Sequence, residues 1–299
     1  MHLTLTSTQV EEFRKALLAT HSDHLIDLMF RLNLSLPMTA DASSAIDTAV
    51  RLGWVTTSAK PQLSPLGSMV ADPLREYRFW LDRDRRLHGE LDHSLLAAEC
   101  YAEKSVLEVG CGFGCNLLSL SQQTHGNFVG IEPMTVYRQF TPLLAEREGF
   151  KVPDVRDGTG EAIPFENETF DIVMCYSSLQ YMDIGKALKE MARVLRPGGQ
   201  LQIIGGTLST YSTHVMRQLV DHPSPSTLLN GTRTIINTLS YQWFGRRLWQ
   251  PASMFATAAP VYPTYRAMSR LIGAVGLDLR RDLTGNKGGE PCFVAEKPA

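Results

Sequence analysis

Cysteine is scarce in this 299-residue chain: five residues, an odd number, scattered along it. No CxxC pair occurs and no histidine cluster completes a zinc set, so plain reduced thiols are a better reading than disulfides or a metal site. Cys100, Cys111, Cys115, Cys175 and Cys292 read as reduced thiols. Charge of one sign is also lacking. Twenty-nine Lys and Arg against 31 Asp and Glu leave a net charge of −2, where a nucleic-acid binder usually shows a strong basic face. Long apolar stretches are missing as well. The three longest runs free of Lys, Arg, Asp and Glu are residues 109–131, 197–216 and 248–265, and each is broken by glycines, prolines or polar side chains. A membrane-spanning helix needs about 20 mainly apolar residues, so no membrane span is expected. The opening MHLTLTSTQVEEFRK lacks the basic-then-apolar order of a signal peptide, which makes a cytoplasmic location the expectation. There is no internal repeat and no low-complexity tract.

What is present suits folded structure. The chain is 43% hydrophobic and 20% charged, enough apolar material for a sizeable core, and its length suggests about two domains. The near-neutral total hides a polarity. Residues 1–100 carry 10 basic and 13 acidic side chains, residues 101–204 carry 9 and 13, and residues 205–299 carry 10 and 5. The basic excess of the last third is a solvated surface or an attraction for an anionic substrate.

Residues 1–96 read as mainly helical. Thr8-Gln9-Val10-Glu11 has capping-box spacing, with Val10, Phe13, Leu17 and Leu18 following at helical intervals. Residues 24–34 and 41–52 give two more helices, the latter stopped by Gly53. Residues 54–57 and 62–64 can pair as two short strands, and Pro65 opens a further helix. A charged helix with Tyr77, Phe79 and Trp80 is expected over residues 76–96. Three helices, a two-stranded wing and a helix resemble a winged-helix module.

Residues 97–204 alternate strand and helix. Short apolar runs at 105–109, 127–131, 170–175 and 200–204 predict strands, with helices over 115–123 and 184–195, which implies a parallel sheet. Residues 205–299 supply a helix near 212–220, an aromatic and proline-rich insertion, YQWFGRRLWQPASMFATAAPVYP, a helix over 265–275 and two closing strands at 277–281 and 292–296. Tyr241, Trp243, Phe244, Trp249, Phe255 and Tyr262 suggest an apolar cap.

The decisive segment is Val106-Leu-Glu-Val-Gly-Cys-Gly-Phe-Gly-Cys-Asn116, a strand running into three glycines and a helix. Gly110, Gly112 and Gly114 let the backbone turn sharply and approach a ligand at the carboxyl end of a strand, where open α/β sheets bind ligands. The spacing is G-x-G-x-G, not the dinucleotide fingerprint G-x-G-x-x-G. Glu108, two residues before the first glycine, would repel a pyrophosphate and suit a ligand that presents an ammonium group. S-Adenosylmethionine has that shape. Glu132 ends the next strand, where an acidic residue would accept hydrogen bonds from ribose hydroxyls.

The ordered set V-L-E-V-G-C-G-F-G, V-G-I-E-P, E-A-I-P-F, F-D-I-V and V-L-R-P-G-G resembles the class I S-adenosylmethionine-dependent methyltransferases, and most closely the branch that includes ubiquinone and menaquinone biosynthesis enzymes. The resemblance is strong over residues 97–204. It implies an α/β, doubly wound, mostly parallel seven-stranded sheet of the Rossmann-like methyltransferase fold over residues 97–299, a cap insertion at about 207–265, and a winged-helix-like helical domain over 1–96 that mediates homodimerisation and walls the substrate pocket. It also implies roles. Glu108, Gly110, Cys111, Gly112, Gly114 and Asn116 hold the methionine end. Glu132 and Pro133 hold the ribose side, and Thr159, Gly160 and Glu161 face the adenine. Thr159 stands where many relatives have Asp. Cys175 and Tyr176 line the methyl-donating end. Leu179-Gln180-Tyr181 replaces the "L-H-H" often found after the fourth strand, so no general base is inherited there. Tyr176, Gln180, Tyr181 and His214 are the candidates for the acceptor side, with His214, Arg217, Arg246 and Arg247 as lid residues. No metal is expected.

The expected activity is methyl transfer to a small hydrophobic or aromatic acceptor at O, N or C. The alternative is a nucleic-acid methyltransferase, or a winged-helix regulator with a methyltransferase-like cofactor domain. The acidic balance of residues 1–100 argues against phosphate binding, and no Asn-Pro-Pro-Tyr-like motif follows the fourth strand. A non-catalytic methyltransferase-like partner and an NAD oxidoreductase come after these, the latter disfavoured by the glycine spacing and Glu108.

Overall fold

Apolar side chains at helical spacing open the chain, and the computed structural model places three helices there: α1 (Ser7–Leu18), α2 (Ser22–Asn33) and α3 (Ser43–Arg51). The structure describes residues 4–39, 41–56, 60–82, 96–221, 225–245, 247–249, 260–282 and 292–299, without the side chains of 210, 214, 217–219, 221, 225–227, 281 and 282. The capping box sits two residues earlier than its expected place at Thr8 and Glu11. Thr6 is the N-cap, its hydroxyl accepting from the Gln9 N–H at 3.3 Å while the Gln9 side chain accepts from the Thr6 N–H at 2.9 Å. Either spacing satisfies the motif; Leu5, buried and held to Gln139 by two hydrogen bonds of 2.9 Å, sets where the helix starts.

The two short strands form as expected. β1 (Val55–Thr56) pairs antiparallel with β2 (Gln62–Leu63), and α4 (Pro65–Trp80) follows. Ser64 locks this corner: its N–H donates to the Trp54 carbonyl at 2.8 Å and its hydroxyl accepts from the Gly67 N–H at 2.9 Å. Gly67 is needed because a Cβ there would stand 1.8 Å from the Trp54 carbonyl oxygen, a backbone atom that cannot rotate aside. Gly67→Ala is therefore expected to cost about 2–3 kcal/mol as an overpacking substitution, read as a lower urea midpoint. Of the expected 76–96 helix, residues 76–80 are the end of α4; residues 83–95 lie outside the described set.

The chain divides into two compact units. The first joins residues 1–92 to residues 111–157, which contain α5 (Cys115–Gln123), β4 (Asn127–Ile131), α6 (Thr135–Glu148) and β5 (Asp154–Arg156). Its core draws on both stretches. Phe13 stands 4.8 Å from Trp54 edge-to-face and 6.4 Å from Phe140, Tyr77 meets Phe113 at 6.0 Å, and the Trp80 indole N–H donates to Ser119 at 2.9 Å. Burying such aromatics, at roughly 25 cal/mol per Å² of apolar area, holds the N-terminal helices on α6. β4 and β5 run parallel.

The second unit, residues 93–110 and 158–299, holds β3 (Ser105–Val109), β6 (Phe170–Tyr176), α7 (Ile184–Val194), β7 (Leu195–Ile204), α8 (Leu208–Asp221), α9 (Pro225–Phe244), α10 (Tyr265–Ala274), β8 (Asp278–Asp282) and β9 (Cys292–Glu296). β3 pairs parallel with β6, and β6 with β7, while β9 pairs antiparallel with both β7 and β8. By strand order the seven-stranded sheet reads β5-β4-β3-β6-β7-β9-β8, the mostly parallel, doubly wound arrangement expected. Two details differ from expectation. β7 begins at Leu195 instead of at residue 200, directly after α7, with Gly198 taking φ 73° within it. The 20-residue α9 is hidden in the sequence by its Thr, Asn and Gly content, which lowers helix propensity. No helix among the described residues is long and apolar enough to cross a membrane.

Candidate active site

In the first unit, β4 delivers Glu132 to the glycine loop. Its carboxylate is 5% exposed. Oε2 accepts the Gly112 N–H at 3.1 Å and Oε1 accepts the Met134 N–H at 2.9 Å. The Cys111 N–H donates to the Ile131 carbonyl at 3.1 Å, fastening the loop to the strand end. Arg138, in the first turn of α6, donates to the Glu132 carbonyl and pairs with Asp157 at 2.9 Å. Burial raises the Glu132 carboxyl above its usual range, against the two backbone N–H groups and the Arg138 charge.

The loop conformation explains two of its glycines. Gly112 and Gly114 take φ of 58° and 86°, the left-handed region that disfavours a Cβ. At Gly114, which caps α5, a Cβ would stand 3.1 Å from the side chains of Pro153 and Val155. Cys111 fills the space beside Gly130, where a Cβ would meet its sulfur at 2.4 Å, a packing role. Asn116 is buried in the first turn of α5, and Pro133 is half-buried.

In the second unit, Glu108 is 1% exposed on β3, in register with Met174 of β6. Burial, reinforced by the Glu108 charge, pushes the Cys175 thiol up to about 12. Gly110 takes φ 70°, and a Cβ there would stand 2.6 Å from the Ser178 Cβ. The Ser178 hydroxyl lies 2.7 Å from the Gly110 carbonyl and 2.9 Å from that of Tyr176, so it ties the loop to the segment after β6. Ser177 between them has φ 49°, uncommon for a residue with a side chain. Gly160 is buried, with room only for a hydrogen: a Cβ would meet the Met182 sulfur at 2.4 Å. Glu161 accepts the Asp183 N–H at 2.7 Å, and Thr159, exposed, bridges to Ala162.

Of the acceptor-side candidates, Tyr176 and Gln180 are half-buried and Tyr181 is half exposed on the short 3₁₀ turn Leu179–Tyr181. Gln180 donates from Nε2 to the Ser177 carbonyl at 2.6 Å. Its own carbonyl accepts from Val261 N–H at 3.0 Å and Arg247 at 3.1 Å, and Arg247 also reaches the Met182 carbonyl. Arg247 therefore latches this turn. His214 and Arg217 lie on α8, but their side chains, like Arg246 and Phe255, fall outside the described residues. In the insertion, Tyr211 and Tyr262 stack at 4.5 Å and the Tyr241 hydroxyl accepts the Gly185 N–H at 3.2 Å. Trp243 and Phe244 depart from the expected apolar lining: they are 76% and 77% exposed at the end of α9.

Sequence reasoning missed Glu76. It projects from α4, accepts the Tyr137 hydroxyl hydrogen bond at 2.7 Å, and places Oε2 2.9 Å from where a Cβ on Gly112 would be. The available signal was a carboxylate at helical spacing between Pro73 and Trp80, both buried.

Residues 107–203 match the family described as a methyltransferase domain. An uncharacterized methyltransferase, YcgJ, of Bacillus subtilis is 30% identical over 126 residues, 41% of this chain and 49% of that protein. The phthiotriol/phenolphthiotriol dimycocerosates methyltransferase 1 of Mycobacterium ulcerans is 33% identical over 122 residues, 40% and 44% of the two chains. The chain thus spans about half the length of the curated relatives it matches. Among solved structures, a chain of the complex between the Haloferax volcanii Trm112 methyltransferase activator and a putative methyltransferase is similar with a TM-score of 0.50 at 12% identity, over 75% of this chain and 94% of that one. Residues 107–203 are a methyltransferase domain, in the Rossmann-like fold of the class I S-adenosylmethionine-dependent enzymes.

Proposed function

We propose that the chain transfers the methyl group of S-adenosylmethionine to a small hydrophobic or aromatic acceptor. The observation that carries this reading is Glu132, a buried carboxylate bound into the glycine loop through the Gly112 N–H. A carboxylate there opposes a pyrophosphate and is suited to accept hydrogen bonds from a ribose. The donor residues fit such a nucleoside without phosphate. When bound, S-adenosylmethionine supplies an electrophilic methyl group on its sulfonium.

The residues of this chain then have separable tasks. Glu132, with Pro133 beside it, holds the ribose. The backbone at Gly110, Cys111, Gly112 and Gly114, with Glu108 and Asn116, admits the methionine end. Thr159, Gly160 and Glu161 take the adenine side. Cys175 and Tyr176 line the methyl, and a thiol held near 12 stays protonated at neutral pH. It therefore does not compete with the acceptor as a thiolate nucleophile. Gln180 and Tyr181, on a turn latched by Arg247, orient the acceptor together with Tyr176 at the end of β6 and His214 of α8. Orientation of two bound reactants can supply roughly 7–11 kcal/mol, so no metal is required.

The stacked Tyr211 and Tyr262 support an apolar acceptor, and the mycobacterial relative is named for phthiotriol and phenolphthiotriol dimycocerosates. A quinone-biosynthesis-like role, a homodimer through the winged-helix-like residues 1–96 and a cytoplasmic location belong to the same reading. The test is thermal unfolding with S-adenosylmethionine, S-adenosylhomocysteine and NADH. Either adenosyl ligand at about 100 times its Kd stabilises by roughly 2.7 kcal/mol, a rise of about 5–10 °C. A rise with NADH alone, or with none of the three, overturns the proposal.

A further inference from the structure

Gly112 is flanked by carboxylates on two sides. Glu132 takes its N–H at 3.1 Å, and Glu76 stands against its Cα face, Oε2 2.9 Å from the position of a Cβ. One Glu76 oxygen is committed to the Tyr137 hydroxyl of α6. The other makes no hydrogen bond among the described residues. Among the described residues, the charged groups that bear on Glu76 are Asp72 and Arg75 on its own helix and Glu132 at the end of β4. Arg75 is already engaged by Asn33 and Asp72, each at 2.8 Å. Among the described residues no cation is thus dedicated to Glu76, and a second carboxylate lies nearby. Packing alone gives no reason to place an acidic side chain there.

We propose that Glu76 is a second ligand-binding carboxylate of the donor site, which accepts a hydrogen bond from a ribose hydroxyl beside the one held by Glu132. The assignment rests on the methyltransferase reading. It makes the N-terminal helix α4 part of the donor site. Two carboxylates converging on one glycine suit a vicinal diol, whose two hydroxyls can each donate to one of them. Burial, with Glu132 and Asp72 adding to it, pushes the Glu76 carboxyl up to about 7, against the Tyr137 hydrogen bond and Arg75. A ligand that donates to the carboxylate is thus favoured as pH rises through that value.

The experiment is calorimetric titration of wild type and Glu76→Gln with S-adenosylhomocysteine and with 5′-methylthioadenosine, which has the ribose but no amino-acid end. The variant should bind both ligands more weakly by the same factor, roughly tenfold or more for a lost charged hydrogen bond. Wild-type affinity for 5′-methylthioadenosine should rise between pH 6 and 8, and the variant should lose that slope. Without ligand, Glu76→Gln should unfold no lower than wild type at pH 8, because the buried charge is removed. A loss confined to S-adenosylhomocysteine assigns Glu76 to the ammonium end and overturns the proposal, as does equal binding by variant and wild type. Wild type that binds neither nucleoside overturns the methyltransferase reading itself.

Discussion

Glu132→Ala protein is expected to show no rise in unfolding temperature at S-adenosylhomocysteine concentrations that stabilise the wild type. A hydrogen bond to a charged group contributes about 1.5–3 kcal/mol. If Glu132 accepts from even one ribose hydroxyl, its loss raises Kd by about 10- to 100-fold. The loop loses more, because the Gly112 and Met134 N–H groups lose their acceptor and with it their fixed direction. The unliganded protein should change less. Burial raises the folded pKa of Glu132 above its unfolded value. The stability favouring the protonated form is fully present below the unfolded pKa and is lost as pH rises through the folded one. Above the folded pKa the ionised group therefore carries an electrostatic cost, and removing it offsets part of the lost hydrogen bonding. Glu132→Gln should fail as well, because a carboxamide offers one acceptor oxygen where two backbone N–H groups point at opposite oxygens. Wild-type Kd in the alanine variant would remove Glu132 from the site.

Glu132 and Glu76 differ in how far the amino-acid sequence discloses them. Glu132 is legible because its partners are local: it ends a strand 22 residues after Gly110, and the glycines announce the turn it binds. The strands of the sheet are legible for the same reason, as short apolar runs separated by helical patterns. Glu76 lies 36 residues before Gly112 in the chain, and only the packing of α4 on α6 brings it there; no spacing rule encodes that contact. Ser178 escapes for a similar reason, since its value lies in a hydroxyl reaching the Gly110 carbonyl. α9 escapes because tertiary packing overrides the weak helix propensity of its Thr, Asn and Gly residues. Its buried Thr234, Asn237 and Thr238 side chains read as loop in sequence. Asn237 accepts the N–H groups of Leu248 and Trp249 at 2.8 and 2.9 Å, a loop-fixing role that polar residues inside a helix do not advertise.

Arg147→Met should be the most destabilising single change outside the glycine loop, and its effect should reach the donor site. The Arg147 side chain is 12% exposed on α6. It donates to the Leu17 carbonyl at 2.6 Å, one of the last carbonyls of α1 that the helix itself leaves unsatisfied. It also donates to the Tyr77 hydroxyl at 2.9 Å, to Ser22 and to Asp23, and it lies 3.9 Å from Glu148, whose side chain is 5% exposed. One guanidinium thus joins α1, α2 and α4 to α6. Removing it takes the donor from the Leu17 carbonyl and the Tyr77 hydroxyl and breaks a buried ion pair with Glu148, and the loss of one partner of such a pair costs about 3–5 kcal/mol. The exposed Arg14–Glu146 pair on the same helices should by contrast be nearly silent when mutated. Urea denaturation measures the difference, and hydrogen exchange should show α1 and α2 opening first. Arg147→Lys should recover only part, because an ammonium cannot reproduce the guanidinium fork. The link to function is α4. Arg147 holds Tyr77, one residue from Glu76, so loosening that helix displaces the carboxylate at Gly112. Arg147→Met should therefore weaken S-adenosylhomocysteine binding in the wild-type background and add little in Glu76→Gln, the non-additivity expected of two residues acting through one contact. Fully additive losses would show that Arg147 stabilises the helices without positioning Glu76.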